Sequence, residues 1–263
     1  MNLKTLVNKS WYGTIGYIAK EEDLETLEQY ILYNLPVLRE YKNIVVATNY
    51  GAELQQQNKE LWKSYFPESV IIDNPTNRGH NHGYTDLDNI VFDYCKENNI
   101  EWLCKSANDI LFDESIFDKE VSDADFYYMN GIGYGGMAKY GFDYDRIIKE
   151  DFYPQTNFYF INVSKTDYLN NKEYLDETYE LISNIPNYNG RIWEYIPGWS
   201  CEDFLKECIK RNNLLIEHLI TKEKYRILLE TVKNNLIHDC SHKNIMIESI
   251  FHFPYPEQQI IKI

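Results

Sequence analysis

Four short apolar runs, each separated from the next by a segment with helical spacing, constrain this chain more than any other feature. TIGYIA (14–19), NIVVATN (43–49), SVIID (69–73) and EWLCKS (101–106) are continuous enough to be strands covered on both faces. Between them, DLETLEQYILYNLPVLREY (23–41), GAELQQQNKELWKSYF (51–66) and GYTDLDNIVFDYCKENN (83–99) predict helices. Alternating strands and helices predict a parallel sheet with right-handed crossovers, which binds ligands beyond the carboxyl ends of its strands. The polar residues Asn49, Asp73, Asn108 and Asp109 therefore gather along one edge.

The stretch EWLCKSANDILF (101–112) sharpens this expectation. Its apolar run halts at Lys105 to Asp109 and resumes with Ile110, Leu111 and Phe112. An unpaired carboxylate buried there would cost several kcal/mol, so Asp109 needs solvent or a partner. Beyond it the pattern changes. DFYYMNGIGY (125–134) predicts a strand entering a Gly-rich turn, and QTNFYFINVSK (155–165) a strand with alternating apolar residues. Helices are predicted at 171–184, 202–212 and 222–235, with a short strand at 214–220. No internal repeat or Pro/Ser-rich linker divides the chain, and 263 residues suit one α/β body.

Charge and cysteine usage narrow the function. The 41 acidic against 26 basic side chains give a formal charge of −15, which repels phosphate backbones and anionic lipid surfaces, so nucleic acid is not an expected partner. No run approaches the roughly 20 apolar residues of a membrane span. The start MNLKTLVNKSWYG lacks the apolar core of a signal peptide, which predicts a cytoplasmic protein. Cys95, Cys104, Cys201, Cys208 and Cys240 form no CxxC pair and fit reduced thiols. Nothing in the sequence indicates an oligomeric state.

Taken in order, the strands and helices, NRGHNHGYTDLDN (77–89), the strand ending in a carboxylate and the later GWSCEDFLKECIKRNNL (198–214) resemble GT-A type glycosyltransferases, nearest to glycosyltransferase family 2. The resemblance covers about residues 12–215 and implies a Rossmann-like, mostly parallel central sheet flanked by helices. It implies a nucleotide-sugar-binding half over about 12–110, and an acceptor-binding and closing half over about 111–263. In the family, a strand brings a DxD-like motif to a divalent metal and the sugar-nucleotide diphosphate, and a later Glu-Asp at a helix start supplies the base. Ser106-Ala107-Asn108-Asp109 and Glu202-Asp203 occupy these places. Ala107 and Asn108 replace acids, which leaves Asp109 as the motif's one carboxylate. A hard ion such as Mg²⁺ or Mn²⁺ can be held by one carboxylate with substrate phosphates and water.

The resemblance also implies individual roles. Asp109 is the metal ligand, with Asn108 at the ribose or the ion, and Asp203 is the base of an inverting transfer, with Glu202 orienting the acceptor. Retention stays open if Asp203 is too far from the anomeric carbon. Asn77, Arg78, Gly79, His80, His82 and Gly83 lie near the donor phosphates at a helix start, where backbone amides favour anions. Asp86 and Asp88, two apart on that helix, do not face the ligand together, and Asp86 is the nearer to its start. Ala19 and Asn49 fall at strand ends that hold the nucleobase, though nothing selects the base. His238, in IHDCSHKN (237–244), is placed at the metal or diphosphate. Trp199, Trp193 and Tyr153 offer flat apolar faces to a glycan or other hydroxyl acceptor, and Lys165 and Arg191 offer charge to a phosphate or an acidic acceptor.

Two alternatives compete. A sugar-phosphate nucleotidyltransferase has a related sheet but calls for a Gly-rich basic loop after the first strand, which GYIAKEEDLETL (16–27) lacks. A catalytically silent nucleotide-sugar-binding protein is favoured by the missing acid at Asn108 and opposed by the intact Glu202-Asp203.

Overall fold

The computed structural model describes residues 1–49, 51, 53–108, 110–112, 118–130, 154–186, 201–219, 245–246, 250–252 and 261–262. The first part runs α1 (Leu3–Lys9), β1 (Ser10–Gly16), α2 (Glu21–Leu38), β2 (Ile44–Asn49), α3 (Gln55–Tyr65), β3 (Val70–Asn74), α4 (His80–Glu97) and β4 (Trp102–Ala107). Then come β5 (Ile110–Phe112), β6 (Phe126–Asn130), β7 (Pro154–Asn162), α5 (Lys172–Ser183), α6 (Cys201–Arg211) and β8 (Ile216–His218). Last are β9 (Ile245–Met246), β10 (Ile250–His252) and β11 (Ile261–Lys262).

Seven strands form one mixed, mostly parallel sheet in the order β3-β2-β1-β4-β7-β6-β8. The first four are mutually parallel, β7 runs antiparallel to β4 and β6, and β8 lies parallel to β6. This is the α/β sheet that the alternation predicts, and its mostly parallel, Rossmann-like form is the one that the resemblance implies. All six residues of β2 are buried, as an unbroken apolar run requires. Alternate residues serve two cores. Ile44, Val46, Trp102 and Cys104 pack with Leu27, Tyr30 and Ile31 of α2 and Trp62 of α3. Val45, Ala47 and Leu103 pack with Leu87, Val91 and Phe92 of α4 and Leu205 and Ile209 of α6. Two small pairings lie apart from the sheet: β10 antiparallel to β5, and β11 parallel to β9.

Several boundaries differ from the sequence expectation for identifiable reasons. β1 starts at Ser10 and ends at Gly16, not at 14 and 19, because Gly13 sits inside the strand. A Cβ there would lie 2.6 Å from Val91 Cγ1 and 2.7 Å from Leu103 Cδ1, so the absent side chain lets α4 close onto the sheet. α2 begins at Glu21, where the Asp23 carboxylate accepts the Ala19 and Lys20 N–H groups at 3.3 and 3.1 Å. α4 begins at His80, three residues early, because Gly79 takes φ 83° and caps it. α1 had no sequence signal. The helix expected at 222–235 and the turn at 131–134 lie outside the described residues.

Gly13→Ala is expected to lower stability by about 1–3 kcal/mol through overpacking. Urea unfolding with an unchanged m-value checks it.

Candidate active site

The parallel register brings the carboxyl ends of β1, β2 and β4 side by side, with Gly16 beside Thr48 and Ile15 beside Ala107. Beyond them opens a cavity of about 460 Å³ whose lining includes Gly16, Tyr17, Asn49, Asn77, Tyr84 and Asn108. Its polar surface is largely amide. Asn49 Oδ1 accepts from Asn74 Nδ2 at 2.9 Å, and Asn77 Oδ1 accepts the Gly79 N–H at 3.0 Å. Gly83 lets the first turn of α4 come close, since a Cβ there would stand 3.1 Å from Asn49 Nδ2. The amino end of α4 therefore adjoins the cavity, with Gly79 in its wall.

Asn49, Asn77, Gly79 and Asn108, four residues expected at the donor, meet in this one place. Ala19 does not join them, because β1 ends three residues before it, and Gly16 and Tyr17 take its position. Asp73 lies at its strand end as expected, but it is paired with Lys59 and accepts from Thr48 Oγ1 at 2.8 Å and Gln55 Nε2 at 2.7 Å. His80 is the first residue of α4. Asp109 lies outside the described residues, as do His238, Trp199, Trp193 and Tyr153.

Arg78 and Asp86 are paired with each other. The guanidinium forks onto Asp86, with Nε 2.7 Å from Oδ2, and Nη1 reaches Asp176 of α5 at 2.6 Å. Its carbon lies 5.1 Å from the Tyr179 ring centre. His82 is likewise turned inward, 3.1 Å from Thr178 Oγ1. Burial and the neighbouring Arg78 push its pKa down to about 4. Together these contacts fasten α4 to α5. Lys165 pairs with Asp125 at 2.6 Å at the opposite edge, because antiparallel β7 carries its carboxyl end to the start of β4.

The sequence reading missed the centre of the region. Alternation along β4 turns Lys105 onto the α4–α6 face, where it is 1 % exposed. Its ammonium donates to the Tyr84 hydroxyl and the Thr156 carbonyl, lies 4.3 Å from the Tyr84 ring centre, and pairs with Asp88 Oδ1 at 3.2 Å. Asp88 is thus the acid of α4 that pairs with Lys105. Tyr84 also donates to the Thr156 carbonyl at 3.2 Å, while Thr156 Oγ1 donates to Glu202 Oε1 at 3.1 Å. Cys201 Sγ lies 3.3 Å from Thr85 Oγ1, which brings the start of α6 against α4. Glu202 therefore faces the cluster that Tyr84 joins to the cavity. Asp203 lines a different groove, between α5 and α6, with Tyr174 and Phe204.

The described lining of the cavity has no carboxylate, histidine or thiol. Among the described residues no group of three such side chains is arranged to hold a metal ion. The described cysteines are free, as expected, and burial raises the thiol pKa of Cys95 and Cys208 to about 12. Among the described residues no helix is long and apolar enough to cross a membrane.

No protein-family model matches the chain, and no curated protein matches it. Solved structures similar to it include a glycosyltransferase involved in glycosylation of the major capsid of PBCV-1, at 10% identity over 80% of both chains with TM-score 0.40. Mouse xyloside xylosyltransferase 1 is similar at 9% identity over 91% of this chain and 88% of that one, TM-score 0.41. A nucleoside-diphosphate-sugar pyrophosphorylase from Vibrio cholerae is similar at 9% identity over 84% and 99%, TM-score 0.41. These likenesses are distant, and none assigns a role to a residue here.

Burial dominates the ionisation of Asp88: although Lys105 opposes it, the carboxyl pKa rises from 3.8 to about 6. The folded state thus favours the protonated acid, so this contribution is present in full below the unfolded value and is lost as pH rises through about 6. Urea unfolding between pH 4 and 7 should show wild type losing stability relative to Asp88→Asn across that window.

Proposed function

We propose that this protein is a glycosyltransferase that moves a sugar from a nucleoside-diphosphate sugar to a hydroxyl acceptor. The observation that carries the reading is the amide-lined cavity beyond β1, β2 and β4, linked through Tyr84 and Thr156 to Glu202. A doubly wound sheet binds nucleotides at such an edge. Asn49 and Asn108 offer the base and ribose both donors and acceptors. The amino end of α4 offers the diphosphate the positive end of a helix dipole.

In this reading Glu202 takes the proton of the acceptor hydroxyl as the acceptor oxygen bonds to the anomeric carbon. The bond from that carbon to the diphosphate breaks, and the nucleoside diphosphate leaves with the electron pair. A base acting opposite the leaving group implies inversion. Asp203, the base implied by the resemblance, is assigned instead to the acceptor side, because the groove it lines is separate from the cavity. The resemblance places Mg²⁺ or Mn²⁺ on Asp109 with the diphosphate. Such an ion polarises leaving oxygens.

One rival reading rests on a specific observation. The described cavity wall carries amides and no acid, which suits a protein that holds a nucleotide sugar without turning it over.

The test is donor turnover with UDP-, GDP-, CMP- and dTDP-sugars, in Mn²⁺ and in EDTA. Wild type is expected to turn over one donor class, with Glu202→Gln lowering kcat about 10²- to 10⁴-fold, the usual range for a lost general base. Asn49→Ala is expected to weaken nucleotide binding by about 1.5 kcal/mol, roughly tenfold, by calorimetry. Nucleotide-induced stabilisation with no turnover of any donor would favour the silent binding protein.

A further inference from the structure

Position 105 lies between Gly13 and Tyr159 in the strand register, on the sheet face whose apolar core includes Leu103, Ile161, Val91 and Leu205. Valine or leucine there would avoid the several kcal/mol that desolvating an ammonium costs, and replacing a buried ion pair with apolar residues is often neutral or stabilising. The cation is therefore hard to explain as a source of stability. Its partners are more informative. The Tyr84 ring belongs to the cavity wall, and Thr156, which takes the ammonium on its carbonyl, presents its hydroxyl to Glu202. One buried charge thus holds both the donor wall and the strand that carries the hydrogen bond to Glu202.

We propose that Lys105 is a positioning residue, whose ammonium fixes Tyr84 and Thr156 relative to each other and thereby aims the Glu202 carboxylate at the cavity. The inference rests on the reading of that cavity as the donor site. β4 is the strand shared by the parallel and antiparallel parts of the sheet, so a rigid bond at its centre sets the distance between α4 on one side and β7 with α6 on the other. The ionisable groups gathered about Lys105 are Asp88, Tyr84 and Glu202, with the Cys201 thiol and the Tyr159 hydroxyl nearby. Asp88 balances the charge but makes no bond to Thr156 or Glu202 among the described residues.

Lys105→Met alone strands Asp88 in the core and risks unfolding, so the first variant is the double substitution Lys105→Met with Asp88→Leu. The second is Thr156→Val, which is isosteric and removes only the hydroxyl facing Glu202. Each is compared with wild type by Tm, by hydrogen exchange over the first turn of α6, and by donor kinetics. At matched Tm, both are expected to raise exchange at 201–204 at least fivefold and to lower kcat at least thirtyfold, with donor KM within threefold. Combining Thr156→Val with the double substitution should add less than a further twofold. Exchange and kcat within twofold of wild type in Thr156→Val overturn the proposal, whether or not the double variant folds. If wild type turns over no donor, the transferase reading falls. Exchange at 201–204 then decides alone: a fivefold rise supports the positioning role, and an unchanged rate overturns it.

Discussion

A lysine ammonium that is 1 % exposed at the middle of the central strand is the constraint around which the functional end of this fold is arranged. Such a group must be paired and hydrogen-bonded or it unfolds the core. Lys105 meets that demand with three neighbours from two elements: Tyr84 and Asp88 on α4, one turn apart, and the Thr156 carbonyl on β7. Since Thr156 also holds Glu202, the start of α6 is drawn into the same arrangement. Satisfying one buried charge thus fixes how the cavity wall and the candidate base stand to each other.

Around this polar centre the site is built from amides and backbone. The chain carries a formal charge of −15, yet the described wall of the cavity is free of acids. A donor diphosphate there would meet the amino end of α4 instead of carboxylate repulsion. Near that end Arg78 is held between Asp86 and Asp176. They hold α4 against α5 and keep its first turn in place. Two glycines make the approach feasible. Gly79 takes the positive φ that turns the chain into α4, and Gly83 leaves room for Asn49.

Much of this was legible in the sequence, and the failures have physical causes. β2 and β4 were legible because each opens on an apolar run of the kind a strand covered on both faces requires, and the edge holding Asn49 and Asn108 followed from their direction. The limits of β1 were not, since glycine inside a strand looks like a turn until the side chains that fill its place are known. Helix spacing shows that Asp86 and Asp88 diverge, but not that Asp86 pairs with Arg78 and Asp88 with Lys105. Lys105 was illegible for a further reason. Its partner Thr156 lies 51 residues away on a strand running the opposite way, and no local pattern announces that meeting. Glu202 and Asp203 stand out in the sequence as a pair, yet only the packing of α6 shows that Glu202 faces Thr156.

The central claim, that a nucleoside diphosphate occupies the edge of β1, β2 and β4, is tested most directly by a crystal structure of the chain with the nucleoside diphosphate that raises its Tm most. The account predicts the base and ribose against Gly16, Asn49 and Asn108, with the diphosphate at the amino end of α4. Nucleotide seated in the α5–α6 groove, with that edge unoccupied at saturating concentration, would contradict it.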